Sequence, residues 1–337
     1  MNNKKRYLKV IGVFLAVLVF VGVVYSFYPG KQRYASSEKS VIVLKATDNQ
    51  SDDYPMAQGL RYMAKLLDER SNGRIKMIVY SNAILGDEKD ILGPTEEGLL
   101  DIGRISASSL TKYAPELNVY MMPFLFRDGI QQWKVLDGPV GQRLLDSLGN
   151  SGFVGLTYYD PGARSFYAKK PIMSPQDIIG QRVRILDDKT QEDMISVMGA
   201  IPMKTSFLEV YPSLMTGTLD AAENSPPSFY TTKHYEQANV LSLTEHLVVP
   251  GVIIISKKTW NSLSSQDQEL IRQAAKDSSV YQRKLWSEFT EKAMQELRNN
   301  GVRVVVPDKE SFRKAMAPLY NKYPEYKEMI KQIQDTN

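Results

Sequence analysis

VIVLKATDNQSDDYPMAQGLRYMAKLLDERSNGRIKMIVYSNAILGDEKDILGPTEEGLLDIGRIS, residues 41–106, switches back and forth between two periodicities, and that alternation decides the fold. Val41 to Ala46 reads as a strand. Tyr54 to Arg70 places Met56, Leu60, Met63, Ala64 and Leu67 on one helical face, and Gly73 follows as a stop signal. RIKMIVY (74–80) returns to strand, 87–99 to a helix interrupted by Gly93-Pro94, and 101–106 to strand. A β-α-β-α-β order needs crossover helices between parallel strands, hence an α/β layer fold.

A second alternating unit begins near Phe153, with strands expected at 153–159, 164–169 and 182–186. Ser174-Pro175 reads as a cap followed by proline in the first turn of a short helix that Gly180 closes. Helices follow at 189–198 and 206–216, then a strand at 218–223, and VVPGVIIIS (248–256) reads as a buried strand. The longest element runs from Ser265 to Asn300, with Ser265 and Gln268 as a capping box and Gly301 as its stop. Tyr281, Leu285, Phe289, Ala293 and Leu297 give it an apolar stripe. Such a helix is roughly 54 Å long, more than a small domain is wide, so it is expected to brace two domains rather than belong to one.

Composition agrees with two domains. The chain has 337 residues, 43% hydrophobic and 24% charged, a globular mixture long enough for two cores. A net charge of +4 spread along the chain is no argument for nucleic acid as a partner. The absence of cysteine excludes disulfides, thiol catalysis, Cys-ligated metal and lipoprotein acylation. With only His234 and His246, an imidazole-based metal site would be hard to assemble.

Lys4, Lys5, Arg6 and Lys9 precede an uncharged, mostly apolar run from Val10 to Tyr28, long enough to span about 28 Å of hydrocarbon. The basic flank holds the N-terminus in the cytoplasm and sends the rest across. An uncleaved anchor over 1–29 is favoured because the following YSFYPGKQRYASSEKS offers no convincing A-x-A. A signal peptide cut near Ala35 is the competing reading. Either way the body lies outside the cytoplasm, joined through a small, polar linker at 30–40.

Phosphate-loop, dinucleotide, zincin, nucleophile-elbow and EF-hand patterns are all missing, so an enzyme is disfavoured and no cofactor or metal is expected. His234-Tyr235-Glu236 is read as a surface or domain-interface histidine, and Asp52-Asp53 and Asp187-Asp188 as solvated loop acids. Two arginines stand out. Arg164 follows the tight Pro161-Gly162 turn, and Arg184 lies in the strand QRVRIL with Arg182 on the same face. A guanidinium held on a strand can grip a carboxylate with two parallel hydrogen bonds; a surface ion pair is the equal alternative. Asn224 lies at the carboxyl end of a strand, where open α/β sheets bind ligands, and Phe207 begins a helix.

SNGRIKMIVYSNAILGDEKDI, PELNVYMMPFLFRD, WKVLDGPVG, IMSPQDIIGQRVRI, MGAIPMKTSFLEVYPSLMTGTLDAAEN, YTTKHYE, LSLTEH and SKKTWNSLSSQDQELIRQAA occur in this order over about 40–330. Together they resemble the extracytoplasmic solute-binding subunit of tripartite ATP-independent periplasmic (TRAP) transporters, of the dicarboxylate or sugar-acid type. The resemblance implies a periplasmic-binding-protein-like fold: two α/β domains around a central cleft, bridged by the long helix. On that basis domain I is expected at 41–160 plus 250–288 and domain II at 161–249 plus 289–330. It also implies that Arg184 and Arg164 meet the ligand carboxylate, and that Asn224 and Phe207 line the site. Asn49 and Glu88 would contact the ligand's polar end. Ala221-Ala222 and Ser225 depart from the family's usual Gly-Gln and proline around Glu223-Asn224. The expected function is capture of a small organic acid for delivery to the small and large membrane subunits. Sensing on behalf of a membrane kinase is the alternative.

Overall fold

The computed structural model describes residues 41–337. The apolar run and the linker expected before residue 41 lie outside them. No helix among the described residues is long and apolar enough to cross a membrane.

The opening alternation folds as read. β1 (Ile42–Thr47), α1 (Pro55–Arg70), β2 (Ile75–Tyr80), α2 (Glu88–Glu96) and β3 (Ile102–Ser106) follow one another, with β1 parallel to both other strands. α1 begins with Pro55 in its first turn, where a missing N–H costs nothing. Its Met56, Leu60, Met63 and Leu67 are buried. α2 carries Gly93-Pro94 inside its last turn instead of breaking there. Its start is fixed by reciprocal hydrogen bonds between Asp87 and Asp90.

β4 (Phe153–Tyr159) ends at a short crossover, 160–163, after which the chain builds a second sheet. That part comprises β5 (Arg164–Ala168), β6 (Arg182–Ile185), α3 (Lys189–Val197), β7 (Ile201–Lys204), α4 (Val210–Thr216), β8 (Ala221–Asn224), α5 (Pro226–Thr231) and β9 (Val240–Leu247). The chain then returns to the first sheet as β10 (Gly251–Ser256), continues as α6 (Ser265–Asn299), and gives the second sheet one last strand, β11 (Arg303–Val305). The strand orders are β2-β1-β3-β10-β4 and β11-β9-β5-β8-β6-β7. β10 lies antiparallel between β3 and β4, so the first sheet is mixed rather than wholly parallel. Every residue of β10 is buried, as its unbroken apolar run requires.

α6 packs against α1 and β4 on the first-sheet side and against α5 on the second-sheet side, the brace its length foretold. Its cap is Ser264 with Asp267, one residue ahead of the expected box. Its buried line also differs. Ile271, Ala275, Ser278, Gln282, Trp286, Ala293 and Leu297 face inward, whereas Tyr281, Leu285 and Phe289 are only half-buried. The line passes through polar positions that a hydrophobic pattern skips. Gln282 accepts from the Asp160 N–H at 2.8 Å and donates to its carbonyl at 3.0 Å. Trp286 lies over Gly162, whose positive φ of 67° suits glycine and where a Cβ would sit 2.6 Å from the indole. The crossover between the sheets is therefore clamped to the brace at two points.

Candidate ligand-binding cleft

A cavity of about 400 Å³ opens between the two sheets, within the range of small-molecule sites. All six residues singled out in the sequence line it: Asn49, Glu88, Arg164, Arg184, Phe207 and Asn224. Asn49 follows β1, Glu88 opens α2, Arg164 and Arg184 stand on β5 and β6, Phe207 precedes α4, and Asn224 ends β8.

The second-sheet wall is cationic. Arg184 is buried, and among the described residues it makes one hydrogen bond, from Nε to the Thr205 carbonyl at 3.0 Å, and no ion pair. Burial and the neighbouring Arg164 push its guanidinium below the ordinary arginine value. A buried charge in this condition is costly, and an incoming anion would relieve it. Arg164 is in a different state. Its Nε and Nη2 grip the Glu223 carboxylate (Nη2–Oε1 2.7 Å), Nη2 also reaches the Glu223 carbonyl at 2.7 Å, and Nη1 donates to Asn224 Oδ1 at 3.1 Å. The surface-pair reading of both arginines fails because both are buried, but Arg164 is paired and Arg184 is not. Arg182 is turned to other work: it binds Asp220 and the Gly217 carbonyl, away from the cavity lining.

The first-sheet wall is built around Arg104, which the sequence reading missed. Arg104 Nε and Nη2 donate to Asp48 Oδ1 at 3.0 and 2.6 Å, Nη1 to Glu88 Oε1 at 2.7 Å, and Nη2 also to Asn49 Oδ1. Burial opposes the Arg104 charge, but Asp48 and Glu88 outweigh it and hold the guanidinium ionised. Glu88 accepts further from Ser106 and Ser109 at 2.8 and 2.7 Å. A lone arginine inside the apolar strand IGRIS was the available signal.

Asp87 was missed as well, having been read only as a helix start. It lines the cavity, accepts from Asn49 Nδ2 and the Glu88 N–H at 2.8 Å each, and receives the Phe207 N–H across the cleft at 3.2 Å. A second bond across the cleft joins the Tyr54 hydroxyl to Ser228 Oγ at 2.7 Å.

Two minor readings need correction. His234 is buried, not on the surface, with Nδ1 2.8 Å from the Tyr167 hydroxyl. Asp188 is a buried cap of α3 rather than a solvated acid, bonding the Thr190 and Gln191 N–H groups, while its neighbour Asp187 stays exposed at the cavity mouth. Asp52, Asp53 and Asp187 are exposed loop acids as read, with Ser81 and Arg61 donating to Asp52.

Residues 46–326 match the family model described as bacterial extracellular solute-binding protein, family 7. A solute-binding protein of Chromohalobacter salexigens is 36% identical over 84% of this chain and 86% of its own length. A TRAP periplasmic solute-binding protein of Bradyrhizobium, solved in complex with α/β-D-galacturonate, superposes with a TM-score of 0.85 at 39% identity, covering 87% of this chain and 99% of that one. Another from Chromohalobacter salexigens, solved with bound D-glucuronate, gives 0.84 at 34% identity over 87% and 100%. The likeness spans both sheets and both walls of the cleft, and the chain belongs to the bacterial extracellular solute-binding protein family 7, the non-enzymatic periplasmic component that captures solutes for TRAP transport.

Proposed function

We propose that this protein captures a hexuronate-like sugar acid and presents it to the membrane subunits of a TRAP transporter. The observation that carries the reading is the buried, uncompensated guanidinium of Arg184 in the cleft wall. The uronates bound by relatives of 34–39% identity supply the solute class. In this reading Arg184 takes the carboxylate through two parallel hydrogen bonds, and Arg164 reinforces it with whatever donor capacity Glu223 and Asn224 leave. Asn224 orients neighbouring oxygens, Phe207 covers a ring face, and Asn49 and Glu88 meet hydroxyls at the far end.

Ligand bridging the two walls favours the closed arrangement because the full set of contacts exists only there. The lobes would then be 41–160 plus 250–288 and 161–249 plus 289–330, hinged at the clamped crossover and along α6. Basic residues ahead of a run long enough to span the bilayer support a further proposal. An uncleaved N-terminal anchor would hold this periplasmic protein at the outer face of the cell membrane.

Isothermal calorimetry with D-galacturonate and D-glucuronate tests the core of this. Arg184→Ala is expected to weaken binding by about 3 kcal/mol or more, and Arg184→Lys also, since an ammonium cannot reproduce a two-pronged contact. Undiminished affinity in Arg184→Ala would remove that residue from the site.

A further inference from the structure

The two walls differ in the charge they leave over. On the second-sheet wall the charged groups are Arg184, Arg164 and Glu223; Glu223 cancels Arg164, and one positive charge remains. On the first-sheet wall Arg104 faces Asp48 and Glu88 as its ion-pair partners. Asp87 stands beside them with no cation within ion-pair distance among the described residues, the Arg184 charge of the opposite wall acting on it only from farther away. Three carboxylates against one guanidinium leave that wall with surplus negative charge. The mouth carries both signs by contrast: Lys112 and Lys204 pair with Asp187, Lys189 and Lys204 with Glu192, and the charge of Lys89 acts on Glu209. The cavity is thus polarised along the line from one wall to the other.

Building on the capture reading above, we infer that Asp87 is a specificity-determining residue. With Asp48 and Glu88 it makes the cavity accept solutes carrying one carboxylate and a hydroxyl-bearing far end, and reject solutes with a carboxylate at both ends. Ionised carboxylates only accept hydrogen bonds, so they suit sugar hydroxyls, which donate. A second carboxylate brought against them has no donor to offer and meets like charge in a poorly solvated site. Asp87 is the decisive member of the three because the other two are already held by Arg104. Its Oδ2 also accepts from the Phe207 N–H of the opposite wall, which ties it to the wall that carries Arg184.

The test is a pair of solutes, D-galacturonate and galactarate, which share their carbon count and stereocentres. The far end is a ring hemiacetal in the first and a second carboxylate in the open-chain second, so the change in their ratio on removing the Asp87 charge is what reports the charge effect. Calorimetry on the full-length protein at neutral pH is expected to show galacturonate bound at least tenfold more tightly. Asp87→Asn keeps the size and the capping ability of the side chain and removes its charge. It is expected to weaken galacturonate through the lost acceptor while lowering the galacturonate-to-galactarate preference about tenfold. A purely structural role would weaken both solutes equally and leave the ratio alone. Glu88→Gln, on the same wall, is expected to shift the ratio in the same direction and serves if Asp87→Asn does not fold. An unchanged ratio in whichever variant folds overturns the inference, as does a wild-type protein that prefers galactarate. Wild-type protein that binds no sugar acid at all sinks the capture reading, and this inference with it.

Discussion

Arg104 and Arg184 are buried to the same degree, 2% and 3% exposed, and face one cavity from opposite sheets, yet their surroundings are opposite. Arg104 is saturated by Asp48, Glu88 and Asn49, whereas Arg184 has a single backbone carbonyl. Burial alone therefore does not single out Arg184 for the proposed carboxylate contact; the absence of a counter-charge within ion-pair distance does. A compensated buried cation is part of the wall's architecture. An uncompensated one is held in place by the rest of the fold at a cost that a bound anion would offset.

The harshest way to break this contrast is to exchange the expected consequences. Arg104→Met removes the cation between two buried carboxylates, which should destabilise the folded protein by about 3–5 kcal/mol in chemical denaturation. A loss below about 1 kcal/mol would mean that Asp48 and Glu88 do not depend on Arg104. Arg184→Ala should do the reverse. Binding falls by about 3 kcal/mol or more, while the ligand-free protein melts at an unchanged or higher temperature because an unpaired buried charge has gone. A large drop in the melting temperature of ligand-free Arg184→Ala would show that this guanidinium, too, is structural.

The same contrast explains what could be read in advance. Arg164, Arg184 and Asn224 were legible because strand ends and tight turns announce themselves locally, and family resemblance attached roles to those positions. The alternating periods of 41–106 gave the layer fold for the same reason. Arg104 shows locally only as a lone charge in an apolar strand and Asp87 only as a helix start, because their meaning lies in long-range pairs: Arg104 with Asp48 and Glu88, Asp87 with Phe207 across the cleft. The brace helix failed in its phase for a related reason. Gln282 belongs to the buried line only because it bonds the backbone of Asp160, a partner that no periodicity records.

Acid sharpens the comparison further, because the two histidines of the chain both stand in the second-sheet part. Burial, and then Arg184, hold His234 down to about 3. Burial, and then Arg164, hold His246 down to about 3 as well; Glu223 lies 3.8 Å from its Nε2 but is already committed to Arg164. The unfolded chain binds these protons near 6.5, and the folded protein does not until about 3. Their contribution is therefore intact above pH 6.5 and is lost as pH falls from there toward 3, by about 1.4 kcal/mol per histidine for each pH unit. Chemical denaturation between pH 7 and 5 should reveal this slope, and His246→Gln should remove about half of it. A stability profile flat down to pH 5 would contradict the burial of both imidazoles.

The smallest effects concern the links between the walls. Tyr54 reaches Ser228 from a buried position, its ring lying edge-on to Trp286 and Phe289 of the brace at 5.7 and 5.9 Å. Lys112 reaches Asp187 at 2.9 Å with both side chains largely in water, and Asp187 is shared with Lys204. Removing the Tyr54 hydroxyl costs a buried hydrogen bond of about 1 kcal/mol that exists only when the walls are together. Tyr54→Phe should therefore weaken uronate binding about fivefold at any ionic strength. Lys112→Ala removes an exposed ion pair worth about 0.5 kcal/mol or less. Its effect should stay within about twofold at low salt and vanish when salt is raised. If Lys112→Ala were the more damaging of the two, closure would be governed by charges at the rim. The ranking expected here instead assigns it to the dry interior that also holds the unpaired Arg184 guanidinium.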